Sequence, residues 1–420
     1  MDPLTTPSAP PFGFPVPGNR WDLAGPPAPD LRVSVVVCHY EQPAELARTL
    51  AALGEQTRPP DEVVVTDDGS AVAPSVPAGV RLVRQEDRGF RAAAARNLGV
   101  AASTGDVVVL LDADTTPEPG FVEAMVDLPA RVPEALVVGR RRHADLSGDG
   151  RVLPEPAWLA SAYDETRDLL DADHASHRFV ISAVLACTRW WWDLLGGCDE
   201  TFTSYGGEDW ELAARSWLAG GVLAHRRDAV AWHDGPDAAG RAADPSVKRA
   251  ETVGVADRVG LPRTAWRGLL RGPADVVVTL PAGLDDGAVL ATVDSLLAAV
   301  PTARVRLSSP HRALVGDDPR VLDLDAPLDG ARLHLALTTG ALGSAEAWRT
   351  ALSSLDGSAT DGAGRRDLGV GELVDLRLAR RAGRWSHPHL CPPHPDPERS
   401  LTPWDPGRHS LEAWLGGWAP

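Results

Sequence analysis

Between residues 31 and 120 short β-branched runs alternate with helical patterns, and that alternation constrains the fold more than any other feature of the chain. LRVSVVVCHY is a near-continuous apolar run, as expected of a strand buried on both faces of a parallel sheet. PAELARTLAALGEQT then sets Leu46, Leu50 and Leu53 on one helical face. PPDEVVVTDDGS supplies a second buried strand ending in acids and glycine, VRLVRQ a short third strand, and RGFRAAAARNLGVAAST an Ala-rich helix. DVVVLLDADTTPEPG is a fourth strand that breaks into acids. The rhythm predicts an open α/β sheet, and such sheets bind ligands beyond the carboxyl ends of their strands.

The acids fall at that rim. Asp67 and Asp68 end the second strand, while Asp112 and Asp114 end the fourth. A single loop acid is ordinarily just solvated, but carboxylates at two strand ends of one rim repel each other. A divalent cation, or donors from a ribose and a base, would compensate. Further on, YGGEDWEL places two acids, Glu208 and Asp209, directly after a glycine pair. Taken alone this reads as a helix opening at Glu211 and Leu212, with acids complementing the positive end of the macrodipole. Trp190, Trp191 and Trp192 are consecutive, so they cannot share one face of a regular element and at least one belongs to the core. Trp210 suits either stacking on a ligand ring or helix packing. VLAHRRDAVAWHDGP ends a strand in His233, which without other information reads as a surface residue.

A chain of 420 residues holds two or three domains of ordinary size. The formal charge of −17 argues against nonspecific binding to nucleic acid or to anionic lipid. The basic residues are nearly all arginine, which with the Ala and Gly content suggests a bacterial source. Cys38, Cys187, Cys198 and Cys391 show no CxxC pairing, so neither a zinc knuckle nor a disulfide framework is expected, and a reducing cytoplasm fits. No apolar run is long enough to cross a membrane, so a lipid acceptor would be met peripherally, at the inner membrane face, or through a partner. Residues 1–30 form a Pro-rich arm ahead of a domain at 31–260.

From Pro273 the strand and helix rhythm restarts. ARLHLALTTGALGSAEAWRTAL lies over DVVVLLDADTTPEPGFVEAMV, with Thr338 and Gly340 where Asp112 and Asp114 stood. GELVDLRLARRAG lies over GEDWELAARSWLAG, with Glu372 over Glu208 and Leu373 over Asp209. Residues 273–390 are therefore expected to form a second α/β domain, a degenerate copy of the first; the competing expectation is that α/β patterns align this well by periodicity alone. Such a copy would pack on the first domain, lengthen an acceptor groove or form a homodimer. Residues 391–420 read as an extended tail along the surface.

Five stretches in order, VSVVVCHYEQPAEL, VVVTDDGS, RGFRAAAARNLG, VVVLLDADTTPEPGF and GGCDETFTSYGGEDWEL, resemble inverting family 2 glycosyltransferases of the GT-A fold. The similarity is to the branch with chondroitin-type polymerases and the galactosyltransferase C-terminal motif, over about residues 31–236. It implies a nucleotide-diphosphate sugar donor, a UDP-sugar by the family pattern, and a hydroxyl acceptor that is a glycan, a lipid-linked sugar or a small molecule. Mn²⁺ or Mg²⁺ would be held by Asp114 and His233, with Asp112 facing ribose or sugar hydroxyls. Asp67 would accept from uracil, and Tyr40 and Glu41 would lie at the base. Arg91, Arg96 and Asn97 would contact the donor. Asp209 would be the general base and Glu208 would hold an acceptor hydroxyl or order the loop. Where the family carries Asn or Asp, this chain has Glu41.

Two other readings compete. A sugar-nucleotide nucleotidyltransferase would need a Gly-rich basic loop after the first strand, where CHYEQPAEL is acidic and lacks glycine. An inactive carbohydrate-binding or scaffold protein would have no need to keep Asp112, Asp114, Glu208 and Asp209 together.

Overall fold

The structure, a computed structural model, describes residues 9–236, 245–328, 330–355, 364–391 and 400–417. The chain divides into two compact units that part between Val255 and Ala256.

The first unit opens with β1 (Val33–His39), α1 (Pro43–Gly54), β2 (Glu62–Asp67), β3 (Arg81–Arg84), α2 (Ala92–Ala102) and β4 (Val107–Asp112). It continues through β5 (Thr115–Pro117), α3 (Phe121–Asp127), β6 (Ala135–Ala144), β7 (Val152–Leu153), α4 (Ala157–Glu165) and β8 (Val184–Thr188). α5 (Arg189–Leu195), α6 (Glu208–Leu218), β9 (Val222–Asp234) and α7 (Pro245–Ala256) follow. The sheet runs β3-β2-β1-β4-β8-β6-β9-β5, with β7 on the edge of β6. β3, β2, β1 and β4 are parallel, as the apolar runs imply, and Val35, Val37, Val65, Val107 and Val109 are fully enclosed. β8 enters antiparallel beside β4, and β6 pairs in parallel with β9. The sheet is thus mixed rather than purely parallel.

The Pro-rich arm is packed into this unit from residue 9 onward. Asn19 is completely buried, and its side-chain amide donates to the carbonyls of Leu169 and Leu223 while accepting from Leu223 N–H. β6 does not stand out in the sequence, because ALVVG runs into three arginines and a histidine; it becomes central only through its partners β8 and β9.

The second unit contains β10 (Val276–Thr279), α8 (Asp286–Ala299), β11 (Arg304–Leu307), α9 (Ser309–Val315), β12 (Val321–Asp323) and β13 (Leu333–Leu337). After these come β14 (Ala341–Leu342), α10 (Ala345–Ser353), β15 (Arg365–Asp367), β16 (Gly371–Asp375), α11 (Leu376–Arg384), β17 (Thr402–Pro403) and α12 (Leu411–Gly416). Its main sheet runs β12-β11-β10-β13-β16-β15, with the first four strands parallel and the last two alternating in sense. Strand for strand this is the order and sense of β3-β2-β1-β4-β8-β6.

Hydrogen bonds extend the equivalence to the rim. Asp112 N–H donates to Ala183 O just before β8, and Thr338 N–H donates to Val370 O just before β16. Asp234 N–H donates to Asp114 O, and Trp404 N–H donates to Gly340 O. β5 pairs antiparallel with the end of β9 as β14 does with β17, so Pro403 takes the place of His233. The equivalence drawn through GELVDL is corrected. That segment is strand β16, the counterpart of β8, and not a counterpart of helix α6. Glu372 is exposed and pairs with Arg365 at 3.1 Å, so it does not repeat Glu208. The tail is also corrected: residues 400–417 form β17 and α12, with Trp404 buried against Ala288 and Ala291 of α8.

Candidate active site

The acids at the end of β4 are held in a pinned turn. Ala113, between Asp112 and Asp114, is fully buried; its N–H donates to Cys38 O and its carbonyl accepts from Thr49 Oγ1 at 2.8 Å. The backbone is thereby fixed from β1 and α1, and the flanking carboxylates are presented at the rim.

Arg96, on α2, ties two of the expected residues together. Its Nη2 donates to Asp112 Oδ1 at 3.0 Å and its Nη1 to Glu208 Oε1 at 2.9 Å. Burial alone would pull the guanidinium pKa down, but Asp112 and Glu208 outweigh it and raise it well above the ordinary value. Glu208 is 5 % exposed, and its second oxygen, Oε2, is buried without a partner among the described residues. An orphaned carboxylate oxygen beside a rim of acids is an acceptor waiting for a donor, such as a ligand hydroxyl.

The glycine pair is required by the chain's path. Gly206 and Gly207 have φ of 87° and 99°, and a side chain at Gly207 would meet Val255 at 2.8 Å and Phe202 at 2.9 Å. α6 begins at Glu208, three residues earlier than Glu211, so both acids occupy its first turn. Asp209 Oδ1 accepts from Trp210 N–H at 2.8 Å. Its pKa is raised to about 7, chiefly by removal from water and then by the neighbouring Glu208 carboxylate, with Arg96 opposing.

Asp114 and His233 form a second cluster. His233 Nε2 lies 3.5 Å from Asp114 Oδ2, which also accepts from Gln42 Nε2 at 3.0 Å. His233 Nδ1 is 3.2 Å from Gly235 O. A proton donated to that carbonyl puts the Nε2 lone pair on the side of Asp114. Two electron-rich groups so placed need a shared proton or a cation between them, and orienting an imidazole through a backbone carbonyl is how proteins aim a metal-binding nitrogen. Among the described residues no group of three or more His, Cys, Asp or Glu side chains gathers as a self-sufficient metal site. The pair fits a divalent ion only with further oxygens from a ligand such as a diphosphate.

Other expected site residues are engaged elsewhere. Asp67 is completely buried: Oδ1 contacts His39 Nδ1 at 2.8 Å and accepts from Ser70 Oγ at 2.5 Å, while Oδ2 accepts from Arg84 Nε at 2.7 Å and Ser70 N–H at 3.2 Å. Burial would raise its pKa, but Ser70, Arg84 and His39 outweigh it and hold it below the usual value. Both oxygens are spent on the protein, so Asp67 anchors the loop after β2 and offers a base no acceptor. Asn97 faces a loop and not the rim: its amide donates to Cys198 O at 2.9 Å and accepts from Cys198 N–H at 2.8 Å. Arg91 donates its backbone N–H to Asp68 Oδ2 at 2.9 Å, and its side chain approaches Glu200 at 3.6 Å.

Tyr40 is 46 % exposed at the end of β1, with its phenol beside Asp87. Glu41 follows in the left-handed region, φ 52°, and its carboxylate accepts from Ala71 N–H at 2.6 Å. Asn and Asp tolerate that backbone better than other side chains, so Glu41 is the costlier residue there. The four cysteines are free, and burial pushes Cys38, Cys187 and Cys198 up to about 12, so none is a ready thiolate.

Two site residues escape the sequence reading. Gln42 contacts Asp114 from the residue before α1. His143, opposite His233 in the β6–β9 register, brings its ring centroid to 5.0 Å from that of His233. Only the strand pairing reveals it.

Residues 34–185 match the family described as glycosyl transferase family 2, and residues 169–230 match that described as the N-terminal domain of galactosyltransferase. The chain is 29 % identical over 241 residues to the hyaluronan synthase of Pasteurella multocida, covering 49 % of this chain and 24 % of that one. It is 32 % identical over 213 residues to the validoxylamine A glucosyltransferase of Streptomyces hygroscopicus subsp. limoneus, covering 44 % and 47 %. The chain therefore spans half or less of the length of these relatives. A solved structure of GalNAc-T7 with UDP, GalNAc and Mn²⁺ aligns at a TM-score of 0.38 and 20 % identity, covering 48 % of this chain and 44 % of that one. Among the described residues no helix is long and apolar enough to cross a membrane.

Proposed function

We propose that the protein, whose residues 34–185 match glycosyl transferase family 2, transfers a sugar from a nucleotide-diphosphate donor, a UDP-sugar, to an acceptor hydroxyl with inversion at the anomeric carbon. The observation that carries this reading is the gathering of Asp112, Arg96 and Glu208 into one hydrogen-bonded chain, with Asp209 beside it and raised to about 7.

A base poised near neutral pH can take a proton from an alcohol as that oxygen attacks, and this is the role of Asp209. The Asp209 carboxylate accepts the hydroxyl proton while the acceptor oxygen forms its bond to the anomeric carbon and the bond to the diphosphate breaks. Direct displacement needs no covalent intermediate on the protein. Glu208 Oε2 accepts from a second hydroxyl of the bound sugar and so orients it, and Arg96 holds Glu208 in place. Asp112, 31 % exposed at its side chain, presents its remaining oxygen to ribose or donor-sugar hydroxyls. Asp114 and His233 would hold Mn²⁺ or Mg²⁺, which when bound neutralises the charge developing on the leaving diphosphate. Tyr40 and the loop that Glu41 and Asp67 anchor flank the nucleotide; Asp67 acts through that loop.

A thermal-shift panel of nucleotide sugars with and without Mn²⁺ tests the reading. UDP-sugars should raise the melting temperature, and more so with Mn²⁺. A response to nucleoside triphosphates alone would instead favour a nucleotidyltransferase.

A further inference from the structure

The second unit carries a cavity of about 550 Å³ whose wall includes Ser344, Thr402, Trp404, His409, Ser410 and Trp414. It lies where β14, β17, the start of α10 and α12 come together, and among the described residues no Asp, Glu, Arg or Lys lines it. The volume is within the usual range for a small-molecule site.

The polar groups around it are biased toward donation. Ser344 Oγ accepts from Ala347 N–H at 3.1 Å and Ser410 Oγ accepts from Ala413 N–H at 3.1 Å, which leaves each hydroxyl hydrogen to donate. His409 Nδ1 accepts from Asp405 N–H at 2.8 Å, so in the neutral ring the proton sits on Nε2. Trp404 is 8 % exposed, and its indole N–H is buried with no acceptor among the described residues. The Trp404 and His409 rings lie 5.5 Å apart, while Trp414 is held by its own N–H to Asp294 at 3.0 Å. Aromatic faces attract the polarised C–H face of a pyranose, and hydroxyl and imidazole donors suit its oxygens. A nucleotide or a uronic acid would find no cation among the described residues of this wall to answer its charge.

We propose that this cavity binds the ring of an uncharged sugar, a hexose or an N-acetylhexosamine. It binds without transfer, because none of the described residues in its wall is an acid that could serve as a base, while at the rim beside it Thr338, Gly340 and Pro403 stand where the first unit has Asp112, Asp114 and His233. Side chains at Gly340 would meet Ala288 and Trp404 at 2.9 Å, so an acid cannot be accommodated there without displacing this wall. The proposal concerns binding alone and stands or falls independently of catalysis in the first unit.

The test is a titration of the full chain with glucose and with N-acetylglucosamine, followed by ¹H–¹⁵N correlation spectra of the indole groups. The Trp404 resonance is identified by its loss in Trp404→Phe. A saturable shift of that resonance is expected with at least one sugar. It should disappear in Trp414→Ala, and affinity should weaken about fivefold in His409→Ala, the loss of one neutral hydrogen bond. Melting temperatures establish that each variant is folded, and if Trp414→Ala is not, His409→Ala on the cavity rim carries the comparison. Absence of a saturable Trp404 shift with both sugars, an unchanged titration in the folded variants, or a stronger response to UDP or glucuronic acid would overturn the proposal.

Discussion

Arg96 and Glu208 meet at 2.9 Å, both nearly sealed from water, across 112 residues of sequence. The pair joins α2 to the first turn of α6, and through Asp112 it also reaches the end of β4. Removing one partner of a buried ion pair leaves the other charge uncompensated. Arg96→Met should therefore cost about 3–5 kcal/mol of stability by urea denaturation, with transfer lost. Adding Glu208→Gln to that variant should recover part of the stability but none of the activity, since the remaining amide no longer needs a cation yet is a poorer hydroxyl acceptor. Additive losses in the double variant would mean that the two residues do not act as a pair.

Asp209 makes a prediction about pH in two directions. As a base it must be ionised, so kcat/KM should rise with pH through about 7 and level above it. Stability moves the other way. The folded-state pKa lies above the ordinary value of 3.8, so between roughly pH 4 and pH 7 the folded protein holds a proton that the unfolded chain releases, and stability falls as pH rises across that window. Asp209→Asn removes both effects. Transfer should be abolished with UDP-sugar affinity retained, and the melting temperature should exceed that of the parent by more at pH 8 than at pH 5. An equal difference at both pH values would contradict the raised pKa, and substantial surviving transfer would remove Asp209 as the base.

Asn97 distinguishes donor recognition from loop anchoring. Its amide satisfies both backbone groups of Cys198 in the loop that leads toward Gly206. Gly197 has φ 73°, and a side chain there would meet Asn97 Oδ1 at 2.5 Å, so the loop is fitted closely around the amide. Asn97→Ala should cost about 1–3 kcal/mol, the penalty for leaving polar groups unpaired. Calorimetry should show UDP binding near the parent value while kcat falls, because α6 and Asp209 are less firmly placed. A selective loss of nucleotide affinity would restore Asn97 to the donor site.

The parallel strands and the acids at their ends were legible because an uninterrupted Val and Leu run admits few interpretations, and a strand's polar terminus marks the rim. Neighbouring residues were harder to separate. Arg96 and Asn97 are adjacent in one triplet, but a turn of about 100° per residue on α2 sends one to the rim and the other to the Cys198 loop. Asp67 looks in sequence like an exposed strand-end acid, and only the packing of His39, Ser70 and Arg84 around it shows that its oxygens are occupied. GELVDL is too short to separate strand from helix by period, and only the pairing of β13 with β16 fixes it in a strand and parts Glu372 from Glu208. His143 required knowledge of the β6–β9 register, which no local pattern carries.

Asp114 and His233 supply the remaining prediction, since their 3.5 Å approach gains stability from a shared cation or proton. If the cation is the functional partner, Mn²⁺ should tighten UDP binding in the parent protein, and a chelator should reverse the effect. Asp114→Ala and His233→Ala should each lose most of that metal-dependent increment while leaving metal-free UDP binding near its original value, because neither side chain then contacts the nucleotide directly. Gln42→Ala should have a smaller effect of the same kind, since its amide orients Asp114 at 3.0 Å but is a weaker candidate ligand. Calorimetric titration of UDP with and without Mn²⁺ separates these outcomes. Equal affinities in the two titrations, together with full transfer in the presence of chelator, would assign the pair to a shared proton and remove the metal from the mechanism.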